Sequence, residues 1–211
     1  MFPNKIKELS FPKAFLFTNA WDETESGLRS ERFCPDFEKH NPFHYFLTYT
    51  VNPQRWCVHK SILMEHQFDP NVTICEDMDT SLRILNAGFP VYQIKKRTTV
   101  YVAASDSFTH GDDNKWEKEF FYLRKIFSRK ELKNQLPSKA KSRLISMCYF
   151  HLSQKNFRLK KRFKTIYFAI NSILLFPRGY NGKTNQILMV QCIYSIPIIG
   201  FIAKHMVNIK N

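Results

Sequence analysis

Residues 73–85 read TICEDMDTSLRIL: a short apolar step, three carboxylates within four positions, then a helical repeat. Met78, Leu82 and Leu85 recur at i, i+4 and i+7, and Gly88 followed by Pro90 closes the segment, so the spacing predicts a helix that begins at the acids. Acids in a first helical turn are favoured by the macrodipole, by about 0.3–1 kcal/mol each. On that ground Asp77 suits an N-cap, and Asp79 with Arg83, spaced i, i+4, suits an ion pair on the helix face. A second reading weighs the setting. Glu76 and Asp77 follow an apolar segment and start a helix, where a strand of an α/β sheet ends and such folds place their ligands. A carboxylate held there beside backbone N–H groups can stay ionised and accept a proton from a hydroxyl.

Working outward, NKIKELSFPKAFLFTN reads as the end of a helix, a break at Pro12 and a short strand through Phe15–Phe17. Residues 21–40 are polar and unpatterned and read as a loop. Strand-like alternation surrounds Phe46–Val51, followed by a turn at Asn52-Pro53 and by Arg55–His59 leading into a short helix. FPVYQI and TTVYVA read as two strands separated by a basic turn at Lys95-Lys96-Arg97. SDSFTHGDDNKW is then a loop and Lys115–Lys130 a helix carrying both charge signs. Strand and helix segments mix throughout, so the fold class is α/β.

The charge is unevenly placed. Of 32 basic and 18 acidic residues, 14 basic and no acidic ones lie in residues 132–211, because Glu131 is the last acid. Two regions are expected, 1–131 and 132–211, the second a basic, apolar helical extension. Its core is KNFRLKKRFK, followed by TIYFAINSILLF and then ILMVQCIYSIPIIGFIA at 187–203. That last run is interrupted by Gln191, Ser195, Pro197 and Gly200 and falls short of the ~20 apolar residues of a spanning helix. Two readings stay open. Either these helices lie in a membrane interface with lysines and arginines against anionic headgroups, or they form a hairpin packed on the first domain with a solvated basic face. The five cysteines, Cys34, Cys57, Cys75, Cys148 and Cys192, are odd in number and scattered, which argues against a disulfide framework or a zinc site and suits a reducing compartment. The opening MFPNKIKELS has no apolar run of the kind a leader needs.

The segments RWCVHKSIL and FDPNVTICEDMDTSLRILNAGFPVYQI carry a family pattern: Phe68-Asp69, Glu76-Asp77, Arg83 in the helix, and Gly88 before a strand. Over about residues 50–102 the chain resembles the acceptor half of the GT-A-fold (Rossmann-like) inverting glycosyltransferases of family 2. The resemblance implies that Asp77 is the general base. It deprotonates an acceptor hydroxyl, which displaces a nucleotide diphosphate from the anomeric carbon with inversion. Glu76 is implied as its neighbour, and Arg83, the helix arginine of the pattern, as an acceptor contact; by residue type alone Trp21 and Trp56 are further acceptor-contact candidates that could stack on a sugar, Trp21 the better of the two. Trp56, in a strand-like run, also suits the core, and Trp21 stands at the expected start of a loop. The family also uses a divalent metal, Mg or Mn, held by an Asp-x-Asp motif in a donor half. No such motif precedes Glu76, and MFPNKIKEL resembles the segment just after it, so the chain is expected to begin past its metal site. His110, in SFTHGDD, lies where relatives place a metal- or diphosphate-reaching histidine. His40 and His44 are spaced i, i+4, but Pro42 between them argues against a shared metal-binding face.

The expected function is sugar transfer from a nucleotide-sugar donor to a saccharide or lipid-linked acceptor, in surface polysaccharide or glycan synthesis at the cytoplasmic face of the cell membrane. Activity is then expected to need the donor half, supplied by a longer chain or by a separate partner chain. The alternative is a non-catalytic module that uses the basic tail to bind a membrane surface or nucleic acid. Basic and aromatic residues interleave in KNFRLKKRFKTIYF as in single-strand binders, but the adjoining apolar runs match lipid better.

Overall fold

The structure, a computed structural model, describes residues 13–49, 51–102, 114–177 and 184–195. Packing divides the chain into Met1–Gly111 with Arg129–Gln135, and Asp112–Ser128 with Leu136–Asn211. This division does not follow the charge break after Glu131: the helix at 115–127 packs with the C-terminal helices, and the short segment after it packs with the first unit. The helix expected before Pro12 lies outside the described residues.

The first unit is built on β1 (Phe15–Glu23), which is the centre of a four-stranded mixed sheet. Along one edge it pairs in parallel with β4 (Val91–Val102) over its whole length. Its other edge is shared, antiparallel, by β3 (Trp56–Val58) at Phe15–Phe17 and by β2 (Arg29–Glu31) at Trp21–Glu23. The strand expected at Phe15–Phe17 therefore runs on through Trp21, and residues 21–40 are not one loop. A hairpin turn, with Gly27 at φ 81° donating its N–H to Thr24 O at 2.9 Å, returns the chain into β2.

Two strand expectations are corrected. FPVYQI and TTVYVA form a single strand, and Lys95-Lys96-Arg97 is not a turn. The β1 partners step from Ile94 at Thr18 to Arg97 at Asn19 and Thr99 at Ala20, so the extra basic residues are absorbed as bulges. Around Phe46–Val51 the chain is helical: α1 spans Pro42–Thr48. Asn41 caps it by accepting the His44 N–H at 3.0 Å, and Pro42 at the first helical position fixes the entry. This start signal outweighs the alternation that suggests a strand. The α1 residues Tyr45 and Phe46 close over β1, with Phe17 ringed by Phe37, Tyr45 and Phe46 at 5.4, 5.5 and 5.5 Å between centroids. All four are buried, and this aromatic layer is the core of the unit.

After β3 come α2 (Lys60–Glu65), an irregular segment, and α3 (Glu76–Asn86). The helix predicted from the acids is present, and Gly88 at φ 80° supplies the left-handed turn that ends it. No strand precedes it: residues 66–75 are turn and irregular backbone. The placement of Glu76-Asp77 at the end of a strand is thus corrected.

The second unit is helical: α4 (Lys115–Phe127), α5 (Ser138–Arg158), α6 (Arg162–Leu175) and α7 (Thr184–Ser195). α5 and α6 pack through small side chains that bond each other's backbone. Ser146 donates to Ser172 O and Ser172 to Ser146 O, both at 2.9 Å, and Ser153 donates to Thr165 O at 3.0 Å. Phe150, Ala169 and Leu188 join the three helices in a buried cluster. Among the described residues no helix is long and apolar enough to cross a membrane. Residues 196–203 of the apolar run lie outside them.

Candidate active site

Two carboxylates of α3 that stand two positions apart meet different surroundings. Asp79 is fully buried. Its Oδ2 accepts from Arg83 Nε at 2.9 Å and from an Arg129 terminal N–H at 3.1 Å, while Arg129 Nε stands 2.8 Å from Oδ1 without hydrogen-bond alignment. Arg129 also donates to Asp69 at 2.7 Å. Asp69 in turn accepts the Asn71 N–H at 2.9 Å, and that backbone bond together with Arg129 holds its carboxyl down at about 2. The i, i+4 pair expected of Asp79 and Arg83 is present. Arg83 further donates from one terminal nitrogen to Gln67 O at 2.6 Å and to Thr80 Oγ1 at 3.1 Å, so its Nε and that nitrogen are engaged inside the fold.

Asp77 is the contrast. It is half-buried, and among the described residues it has no ion-pair partner. Its Oδ1 accepts the Met78 N–H at 2.7 Å. Burial raises its pKa above the ordinary carboxylate value, and the neighbouring Glu76 charge adds to the rise, against the backbone N–H groups of Met78 and of Asp77 itself. Asp77 is not the N-cap. That position is Cys75, left-handed at φ 65° with no side-chain cap, so the helix start is strained and Asp77 answers one of the first-turn N–H groups. Glu76 is exposed beside it.

The Asp77 charge is felt at the Tyr101 hydroxyl, a neighbour that sequence reasoning missed. Burial first, and Asp77 among the charges, push this phenol to about 12, against the pull of Arg55 and Arg32. The hydroxyl is buried and without a hydrogen-bond partner among the described residues. Arg32 lies over the Tyr101 ring at 4.5 Å and pairs with Asp22 at 2.7 Å. Arg55, only 2% exposed, donates to Thr18 O at 2.6 Å and approaches Cys34 Sγ at 3.5 Å. Tyr101 sits in an alternating strand, which in sequence marks nothing beyond a half-buried face.

The tryptophans flank the sheet separately. Trp21 lies inside β1, not at the start of a loop, with the Arg97 guanidinium 5.2 Å over its ring. Trp56, in β3, donates to Val51 O at 2.7 Å, meets Phe15 edge-on at 5.2 Å and stacks on Phe68 at 6.2 Å, which makes it a packing residue of the core margin. His40 and His44 stack at 6.3 Å despite Pro42. Among the described residues no three His, Cys, Asp or Glu side chains come together as a metal group. His110 lies outside the described residues. Among those residues no cysteine is joined in a disulfide.

Comparison with family models, with curated proteins and with solved structures finds no match. A half-buried carboxylate of raised pKa can accept a proton, and a phenol hydroxyl can donate or accept a hydrogen bond.

Proposed function

We propose that the first unit is the acceptor side of an inverting glycosyltransferase of GT-A type, with Asp77 as the base that takes the proton from an acceptor hydroxyl. The observation that carries this is Asp77 itself, half-buried without a cation while its neighbour Asp79 has two. A raised pKa makes Asp77 a stronger base than a surface carboxylate, and proton transfer to it leaves the acceptor oxygen free to attack an anomeric carbon. The Tyr101 hydroxyl, without a partner among the described residues, is read as a donor for an acceptor or sugar oxygen, with Arg55 and Arg32 pulling against its upward pKa shift. Trp21, half-buried in β1, offers a ring for a sugar face. The substrates are a nucleotide sugar and a saccharide or lipid-linked hydroxyl; the family's divalent ion, Mg or Mn, belongs to the donor side.

The test measures transfer from a panel of nucleotide sugars to extracted glycan acceptors, by the chain alone and by the chain mixed with a separately expressed donor half of a GT-A glycosyltransferase. Asp77→Asn is expected to lower turnover by ~10²–10⁴-fold with the fold intact. Unchanged turnover, or no transfer by the parent protein, overturns the reading.

A further inference from the structure

We infer that the outer face of α6, with the cationic cavity at its start, is a docking surface for anionic phospholipid. α6 carries apolar residues on two faces. Toward the other helices it buries Thr165, Ala169 and Ser172, with Ile173 and Phe168 partly buried beside them. A second set faces outward: Phe163, Tyr167, Ile170 and Leu174 recur at i, i+4, i+7 and i+11, and Phe163 is 91% and Leu174 73% exposed. α7, which packs beside it, also leaves Met189, Val190 and Ile193 exposed. An apolar stripe of this extent on adjoining helices marks an interaction surface and not scattered surface residues.

Charge complementarity names the occupant. At the start of α6 lies a cavity of about 530 Å³ lined by Arg158, Lys160 and Arg162, with Phe157 and Tyr194. None of the three cations has an ion-pair partner among the described residues, and the chain has no acid after Glu131. The α5–α6 turn, with Lys160 left-handed at φ 56°, brings them together at one end of the apolar stripe. Phosphate oxygens match arginine and lysine donors, and acyl chains match the stripe. A nucleic acid satisfies the cations and leaves Phe163 and Leu174 in water. An anionic bilayer surface satisfies both. This inference stands apart from Asp77 and needs no transferase activity.

The experiment floats the full chain with vesicles of phosphatidylcholine alone and of phosphatidylcholine mixed with phosphatidylglycerol in equal parts, across a salt series. Each cation near an anionic surface adds about fivefold to partitioning, so the combined Arg158→Gln, Lys160→Gln and Arg162→Gln variant is expected to lose about a hundredfold on the mixed vesicles. Phe163→Ser with Leu174→Ser is expected to lose tenfold or more on them, and because both side chains are exposed its circular dichroism is expected to stay that of the parent. Phe163→Trp supplies a second readout: the emission it adds to that of the parent shifts to the blue on the mixed vesicles. The inference is overturned by no flotation of the parent chain, by flotation that both multiple variants leave unchanged, or by an unshifted added emission when the Phe163→Trp variant floats. Salt-steep oligonucleotide binding without flotation, or a dimer that Phe163→Ser with Leu174→Ser dissolves in a chain that does not float, assigns the face elsewhere and overturns it equally.

Discussion

Replacing Arg129 by Met tests what holds α3 in place. Asp79 is fully buried against two guanidinium groups: Arg83 at 2.9 Å, and Arg129 at 2.8 Å to one oxygen and 3.1 Å to the other. Methionine retains most of the aliphatic packing and removes the cation. Leaving a buried charge without compensation costs about 3–5 kcal/mol. Arg83 remains, and Asp69, which also loses its 2.7 Å partner, is partly solvated, so the expected loss is about 2–3 kcal/mol. Urea unfolding followed by tryptophan emission reads it, since Trp21 and Trp56 both lie in this unit. For a chain of this size each kcal/mol shifts the thermal midpoint by roughly 2–4 °C. A loss below about 0.5 kcal/mol, the level of a surface substitution, refutes the claim that the segment after α4 anchors α3 through Asp79.

Asp77→Asn is expected to do the reverse. A raised folded-state pKa means that ionising Asp77 disfavours the fold above the unfolded pKa, so asparagine is expected to stabilise at pH 7, by the ~0.5–2 kcal/mol usual for a single stabilising substitution. A denaturant midpoint below that of the parent protein contradicts it. Asp69 titrates the other way. Its carboxyl is held at about 2, so its contribution is complete above the unfolded value near 3.9 and is lost as pH falls through about 2. The stability gap between parent and Arg129→Met is therefore expected to persist at pH 5 and narrow between pH 4 and 2; a constant gap across that range rules out the Asp69–Arg129 pair as its source.

What is legible in the sequence is what is local. The α3 period, its stop at Gly88 and the Asp79–Arg83 pair all lie within a dozen residues, and the structure contains all three. Arg129 is not legible, because it reaches Asp79 from 50 positions away and nothing near it marks a partner. A run of three cations reads as a turn that would split β4, and only the pairing with β1 reveals bulges. At α1 a two-residue alternation competes with the Asn41-Pro42 start signal, and the cap decides. Tyr101 joins the site through the parallel pairing of β4 with β1, a contact that has no trace in periodicity. The outward stripe of α6 is equally hidden, since composition records its apolar residues but not the direction they face.

Asp77 and Asp79 can differ so sharply because two positions turn the α-helix by about 200°. One carboxylate meets the arginines that hold α3, and the other accepts the Met78 N–H with no cation beside it among the described residues. The same geometry makes the two functions separable. If the acids act independently, Asp77→Asn and Arg129→Met combine additively in unfolding free energy within about 0.3–0.5 kcal/mol, the stabilisation of the first offsetting part of the loss of the second. Sharing a turn of helix is the reason to check, since coupled neighbours depart by about 0.5–3 kcal/mol. A larger departure means that the pairing of Asp79 sets the position of Asp77, and then Asp77 cannot be altered without disturbing its support.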